Sequence, residues 1–257
     1  TLSGKDLLSF RKKLQMVLQD PFGSLPPRTS VGRMLEGPLR THGWKDVAKI
    51  RERVLKVMGE VGLPTDLYEE LPIGLSAGQR QRINVARALV LEPEILIMDE
   101  TLSALDQTEQ FKLLDLFQKL QKEYDLTYIF ISHDLAMVRK VCNRVAVMYL
   151  GEVFELADNE RLFFDPGHPY TMALLSAMPT LEERRYQPED CLLEGEPPSP
   201  INIPPGCSFK SRCPRAMEKC GSLQPVLTVR GSQDFAACHL VPSVAGGDTQ
   251  TPQMASA

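Results

Sequence analysis

Apolar positions change their period several times along the chain, and each change predicts a new element. Leu14-Gln15-Met16-Val17-Leu18 is a short apolar run that predicts a strand, ended by the breakers Asp20-Pro21 and Pro26-Pro27. Over 31–92 the period lengthens. Val47, Ile50, Val54, Val57, Met58 and Val61 recur at three- and four-residue steps, which predicts a helical region stopped by Gly62 and Pro64. Ile95-Leu96-Ile97-Met98 is apolar throughout and too brief for a helix, so it predicts a buried strand. A helix is expected after Asp106, with Glu109 completing a capping box and Leu113, Phe117 and Leu120 facing inward. Thr127–Ser132 is a second β-rich run, Leu135–Val141 reads as helix, and Val145–Phe154 as a hairpin turning at Leu150-Gly151. Strand–helix–strand alternation over 93–160 implies a parallel sheet with helices packed on it.

The last third changes character. Prolines thicken after Pro179 (Pro188, Pro197, Pro198, Pro200, Pro204, Pro205), so 179–206 reads as a linker or extended arm, and the small polar residues of 241–257 as a disordered tail. The 257 residues suffice for one or two domains, and 43% apolar with 24% charged residues excludes global disorder. Lys and Arg number 29 against 33 Asp and Glu; a net charge of −4 argues against a protein that works by neutralising nucleic-acid phosphates. No run approaches the roughly 18 apolar residues of a bilayer span. Thr1–Lys13 lacks the apolar core of a signal peptide, so a cytoplasmic chain is expected. In that reducing compartment the six cysteines do not predict disulfides. Cys142 reads as core beside Val138 and Val141, and Cys191 has no assigned role. Cys207, Cys213, Cys220 and Cys238 are spaced more widely than the paired C-x-x-C of zinc ribbons, yet four thiols in one small segment favour a thiolate site for zinc or iron–sulfur over plain buried thiols. Phe209, Val226, Leu227, Val229 and Phe235, with a short helix over Arg215–Lys219, offer that segment only a small core.

Two segments carry candidate chemistry. Asp99-Glu100 succeeds the Ile95–Met98 strand, placing two carboxylates at the carboxyl end where open α/β sheets bind ligands. Asp99 suits Mg²⁺, and Glu100 suits orienting and deprotonating a water. The plain alternative is an acidic pair that caps a helix after a core strand. Leu75-Ser76-Ala77-Gly78-Gln79 opens a helix that runs through Ile83, Ala86, Leu89 and Val90. Its free N–H groups suit phosphate oxygens, although Ser76 capping the helix is the commoner use of such a sequence.

In combination these segments resemble the nucleotide-binding domain of an ABC transporter. Gln19, in Val17-Leu18-Gln19-Asp20-Pro21, resembles the Q-loop; Leu75–Gln79 the signature; and Asp99-Glu100 Walker B with its catalytic glutamate. Ser103-Ala104-Leu105-Asp106 resembles the D-loop, and His133 in Ile131-Ser132-His133-Asp134 the switch histidine. Tyr149-Leu150-Gly151-Glu152-Val153, Asp165-Pro166-Gly167-His168-Pro169-Tyr170-Thr171 and the cysteine-rich tail narrow the resemblance to the oligopeptide/dipeptide importer ATPases, over about residues 5–240.

The resemblance implies an α/β fold: an ABC-type P-loop NTPase core with a helical subdomain and a small Cys-rich C-terminal extension. It implies partial core with the Q-loop in 1–30, the helical subdomain in 31–92, the core with Walker B, D-loop and switch histidine in 93–160, and the extension in 161–240. Glu100 and His133 become the catalytic pair, Gln19, Ser76, Ala77, Gly78, Gln79, Asp99 and Asp106 contact nucleotide, and Asp99 with Gln19 holds Mg²⁺. ATP is the implied substrate. A 4Fe–4S cluster at Cys207, Cys213, Cys220 and Cys238 is the implied second cofactor, with zinc as the alternative. Implied partners are a second ATPase subunit, two transmembrane permease subunits and, indirectly, a solute-binding protein, at the cytoplasmic face of the inner membrane.

The pattern departs from the family in places. No Gly-x-x-x-x-Gly-Lys-Ser/Thr loop occurs in 1–257, and no upstream aromatic is present to stack on adenine, so the chain reads as lacking the first core strands and as inactive alone. Ala77 stands where the signature usually has glycine, and Thr101 where proline usually comes after Walker B. The competing readings are a soluble ABC ATPase without membrane partners and a chain that lends only its signature half-site. No residue identifies the solute.

Overall fold

The computed structural model describes residues 3–20, 23–178, 191, 193 and 195–241. Pro21, most of the proline-rich arm before 195 and the tail from 242 therefore lie outside the described residues. The chain forms two compact units, 1–133 and 134–257.

In the first unit, α1 (Gly4–Lys13) leads into β1 (Leu14–Val17), and β2 (Ile95–Asp99) and β3 (Thr127–Ile131) complete a parallel sheet in the order β1-β2-β3. Met16, Ile97 and Ile129 share one row of its register, and Asp99 pairs with Ile131. The helices are α2 (Val31–Thr41), α3 (Val47–Glu60), α4 (Ala77–Leu89) and α5 (Gln107–Tyr124). The predicted stripe of α3 is realised: Ile50, Val54, Val57, Met58 and Val61 are fully buried. Val47 is the exception and is exposed, standing in the first turn where the Asp46 carboxylate accepts the Ala48 and Lys49 amides. Arg53 reaches from α3 to the Leu89 and Val90 carbonyls at 2.9 and 3.1 Å, supplying donors to the end of α4 that its own backbone lacks.

α5 buries Leu113, Phe117 and Leu120 as expected. Its cap is only half of the predicted box. Asp106 accepts the Glu109 amide at 3.0 Å, but the Glu109 carboxylate turns to Lys112 at 2.7 Å, an ion pair that draws it off the return bond. The Tyr128 hydroxyl donates to the Phe117 carbonyl at 2.8 Å and ties β3 to α5.

In the second unit, α6 (Leu135–Val141) precedes the hairpin of β4 (Arg144–Tyr149) and β5 (Glu152–Asp158). Leu150 and Gly151 both have positive φ, +47° and +83°, which is the backbone a two-residue turn of that twist demands. α7 (Asn159–Phe164), α8 (Pro169–Ser176), β6 (Thr228–Val229) and β7 (Phe235–Ala236) come next, giving an antiparallel sheet ordered β4-β5-β7-β6. The expected Arg215–Lys219 helix is replaced by single 3₁₀ turns at Lys210–Arg212 and Glu218–Gly221, because so short a span forms too few hydrogen bonds to offset the cost of nucleating an α-helix. Val226 is 74% exposed and no part of the core, whereas Phe209 is fully buried.

The core of this unit is aromatic. Phe209 lies 5.5, 6.2 and 5.3 Å from the rings of Tyr149, Phe154 and Tyr170. His168 stacks on Phe154 at 4.4 Å and caps α8, its Nδ1 accepting the Tyr170 amide at 3.0 Å. The buried Glu155 carboxylate accepts the His168 amide at 3.0 Å and, together with the Gly167 amide, fixes the turn before α8. The Gly167-His168-Pro169-Tyr170 run is thus a packing knot.

Burial pushes the His168 imidazole down to about 4, so it is neutral in the folded chain. The unfolded chain, with an ordinary histidine, binds this proton from about pH 6.5 downward. The stability due to a neutral His168 is therefore complete above about pH 6.5 and is lost as pH falls toward 4, by up to about 3 kcal/mol. Glu155, whose pKa burial raises, takes up its proton early in the folded state and opposes part of that loss. Comparing His168→Phe with the parent isolates the histidine: the acid-side slope of stability should be shallower in the variant, and equal slopes would refute the assignment.

Candidate nucleotide site

Parallel pairing of β2 with β3 sets the site. It brings Asp99 beside Ile131, and the residues just past each strand, Glu100 and His133, meet at the carboxyl end of the sheet. Glu100 has a left-handed backbone, φ +45°, a conformation that costs a non-glycine residue energy and turns its side chain out of the strand direction. The surroundings hold it there. Its amide donates to the Ile131 carbonyl at 2.9 Å, and its carbonyl accepts the Ser103 hydroxyl at 2.9 Å and amide at 3.2 Å. Ser103, legible in the sequence only as part of the D-loop, is thus the bracket that fixes Glu100.

Both oxygens of the Glu100 carboxylate are engaged. Gln19 Nε2 donates to Oε2 at 2.6 Å, and His133 Nδ1 lies 3.2 Å from Oε1. A carboxylate only accepts, so Nδ1 carries the proton and Nε2 is free for another partner. Gln19 reaches Glu100 because it stands two residues past the end of β1, the strand beside β2. Its side-chain amide spends a donor on Glu100, and its side-chain oxygen is not used in that bond. The His133 side chain is 73% exposed and that of Glu100 29%, so the pair faces solvent and is open to a substrate.

The signature residues are placed differently. Ser76 caps α4: its hydroxyl accepts the Gln79 amide at 3.2 Å while the Gln79 side chain accepts the Ser76 amide at 2.9 Å. Ala77 opens the helix, and a Cβ added at Gly78 would lie 2.7 Å from Glu109 Oε2. Asp106 caps α5 and has turned its carboxylate to that helix. The structure therefore joins Gln19, Glu100 and His133 in one place, with Asp99 the last strand residue before Glu100, and engages Ser76, Gln79 and Asp106 in helix caps.

The four tail cysteines are all free thiols and line one small cavity with His168, Phe209 and Met217. The Cys207 amide donates to the Cys220 carbonyl at 2.9 Å, a closeness that Gly206 permits, since a Cβ there would lie 2.4 Å from that oxygen. Even so, among the described residues no three His, Cys, Asp or Glu side chains are arranged to hold a metal ion, so the thiolate site expected from the sequence is not preformed. Burial pushes the Cys207, Cys213 and Cys238 thiols up, Cys213 to about 11, and protonated sulfurs have no charge to draw them around a cation.

Comparison with known proteins finds relatives over most of the chain. Residues 1–103 match the ABC transporter family and residues 154–220 the C-terminal region of oligopeptide/dipeptide transporters. The chain is 45% identical to the oligopeptide transport ATP-binding protein AppF of Bacillus subtilis, covering 90% of this chain and 71% of that protein. It is likewise 45% identical to the dipeptide transport ATP-binding protein DppF of Escherichia coli, covering 93% and 73%. Among solved structures, cbiO1 of Clostridium perfringens, part of the ABC transporter complex cbiONQ, superposes with a TM-score of 0.57 at 30% identity; the match spans 63% of each chain. By sequence and by fold, the chain belongs to the ABC transporter ATP-binding family, in its oligopeptide/dipeptide transport group.

Proposed function

We propose that the chain is the ATP-hydrolysing, energy-coupling subunit of an importer for oligopeptides, dipeptides or related solutes. The observation that carries this reading is the Glu100 carboxylate held between Gln19 and His133 at the end of a parallel sheet. Glu100 orients and deprotonates the attacking water. His133, through its free nitrogen, hydrogen-bonds the γ-phosphate and registers its loss. Asp99 and the Gln19 carbonyl hold Mg²⁺, which when bound neutralises charge on the phosphates. Gln19 and His133 both contact the Glu100 carboxylate, so each can act on the base as well as on the phosphate. Ser76, Ala77, Gly78, Gln79 and Asp106 serve across a dimer, where the α4 N-terminus offers its amides to the nucleotide of a second ATPase subunit.

None of the described helices is long and apolar enough to cross a membrane, so coupling to transport runs through permease partners, met by the α2–α3 region. Coexpression with the two permease subunits of a peptide importer is the test. Retention of the chain on membranes only when they are present supports the reading. A chain that stays in the soluble fraction favours an ABC ATPase without membrane partners.

Residues 1–257 contain no Gly-x-x-x-x-Gly-Lys-Ser/Thr loop, and that loop's amides and lysine supply most of the phosphate affinity. The 257-residue polypeptide alone is thus proposed to be catalytically silent.

We further infer that Cys207, Cys213, Cys220 and Cys238 close around a metal centre, 4Fe–4S as the family resemblance implies. The cavity that all four cysteines line supports this, since it brings four thiols to one small space. Anaerobic purification with iron, sulfide and zinc analysis should yield a brown protein with about four irons. One zinc per chain would keep the site and change the metal; no metal, with four titratable thiols in a folded tail, would end the proposal.

A further inference from the structure

Three of the four tail cysteines are placed by short local bonds. The Lys210 amide donates to the Cys207 carbonyl at 3.0 Å, the Ala216 amide to the Cys213 carbonyl at 3.2 Å and the Cys220 amide to the Met217 carbonyl at 3.0 Å. The Cys207 amide closes this loop on the Cys220 carbonyl at 2.9 Å. Cys238 arrives from elsewhere, beyond β6 and β7. The residue before it is tied to β5, since the Ala237 amide donates to the Phe154 carbonyl. That bond fixes Cys238 to the sheet and not to the other three cysteines.

His239 makes the missing connection. Its ring Nε2 lies 2.8 Å from the Leu223 carbonyl, and a carbonyl only accepts, so Nε2 carries the proton. In the other direction, Lys219 Nζ donates to the His239 carbonyl at 3.4 Å. Leu223 and Lys219 are themselves joined, amide to carbonyl, at 3.0 Å, around the 3₁₀ turn Glu218–Gly221 that carries Cys220. The side chain and backbone of His239 therefore grip both ends of the Cys220 turn. The half-buried His239 also lines the cavity that the four thiols share.

A metal's ligands keep their places only where neighbouring groups orient them. Cys207, Cys213 and Cys220 have that support from their own backbone, and Cys238 has it from the residue beside it. We propose that His239 is the positioning residue of the tail metal centre, holding Cys238 against the Cys220 turn so that the fourth thiolate reaches the metal. This rests on the metal reading of the four cysteines given above.

The test follows release of metal to a chelator from the anaerobically purified 257-residue chain, with alkylation of each cysteine mapped by mass spectrometry. His239→Ala should speed release about 10- to 100-fold, the range for residues that orient a metal's ligands, and should open Cys238 alone to alkylation. His239→Gln keeps a donor at the Nε2 position and should restore most of the parent behaviour. Gln224→Ala is the control: it removes the bond from Gln224 to Glu152 in the same loop and should leave release and alkylation at parent values. Cys238→Ser separates positioning from plain stabilisation. If His239 acts through Cys238, adding His239→Ala to Cys238→Ser speeds release no further, whereas a residue that only stabilises the tail would add its effect.

Release at the parent rate from His239→Ala, or a further rise in the double variant, overturns the role of His239 and leaves the metal site standing. A parent chain that binds no metal overturns the metal reading and this role with it. Should Cys238→Ser load no metal, the alkylation pattern of His239→Ala decides: Cys238 alone upholds the proposal, and all four cysteines together refute it.

Discussion

Replacing Glu100 with glutamine is expected to lower ATP turnover by about 10²–10⁴-fold, the range that a positioned general base contributes. The measurement is made in a chimera that places a Gly-x-x-x-x-Gly-Lys-Ser/Thr phosphate loop ahead of Thr1, so that nucleotide binding is secured independently of the residue under test. Glutamine keeps the size of the side chain and one carbonyl oxygen for Gln19 Nε2, but it cannot accept a proton from water. Binding of ATP should accordingly be retained while turnover is lost. The strained φ of +45° belongs to the backbone and is held by the Ile131 carbonyl and Ser103, so the substitution leaves it in place. His133→Ala should also depress turnover with binding retained, because His133 contacts Glu100 and its proposed partner is the γ-phosphate rather than the body of the nucleotide. Turnover close to the parent in Glu100→Gln would remove Glu100 from this role.

Phe209→Ala should destabilise the second unit by about 3–5 kcal/mol, the usual range for emptying a buried aromatic site. Its ring is fully buried and contacts three aromatic rings drawn from β4, β5 and α8, so no single neighbour can move in to fill the space. Phe209→Leu retains most of the volume and should cost far less. Exchange of the Ala237 amide reports the change, since it donates to the Phe154 carbonyl at 2.8 Å beside this core. Protection there that is equal in parent and Phe209→Ala would show that the unit is held by something other than its aromatic centre.

The first unit is legible in the sequence wherever periodicity is strong. The stripe from Ile50 to Val61, the apolar run before Asp99 and the cap at Asp106 all describe local physics, and the structure forms each of them. The meeting of Gln19, Glu100 and His133 is legible only through the family resemblance, because strand order and register are long-range choices that no window of residues encodes. α1 is not legible, since it buries none of its residues and its apolar positions trace no stripe. The bonds that join Ser24 to Asn84 and Arg87 of α4 are invisible for a related reason: a polar residue inside a helix reads as surface until its partner is known. In the tail, cysteine spacing reads as a metal pattern, while the residue that organises the core, Phe209, is one apolar letter among several.

Calorimetric titration of the 257-residue chain and of the phosphate-loop chimera with MgATP tests most directly the claim that residues 1–257 hold the water-activating half of an ATP site without a phosphate cradle. The account predicts micromolar binding by the chimera and none by the chain alone, since Gln19, Asp99 and His133 touch the nucleotide only at its terminal phosphate and metal. Micromolar binding by the unmodified chain would contradict it.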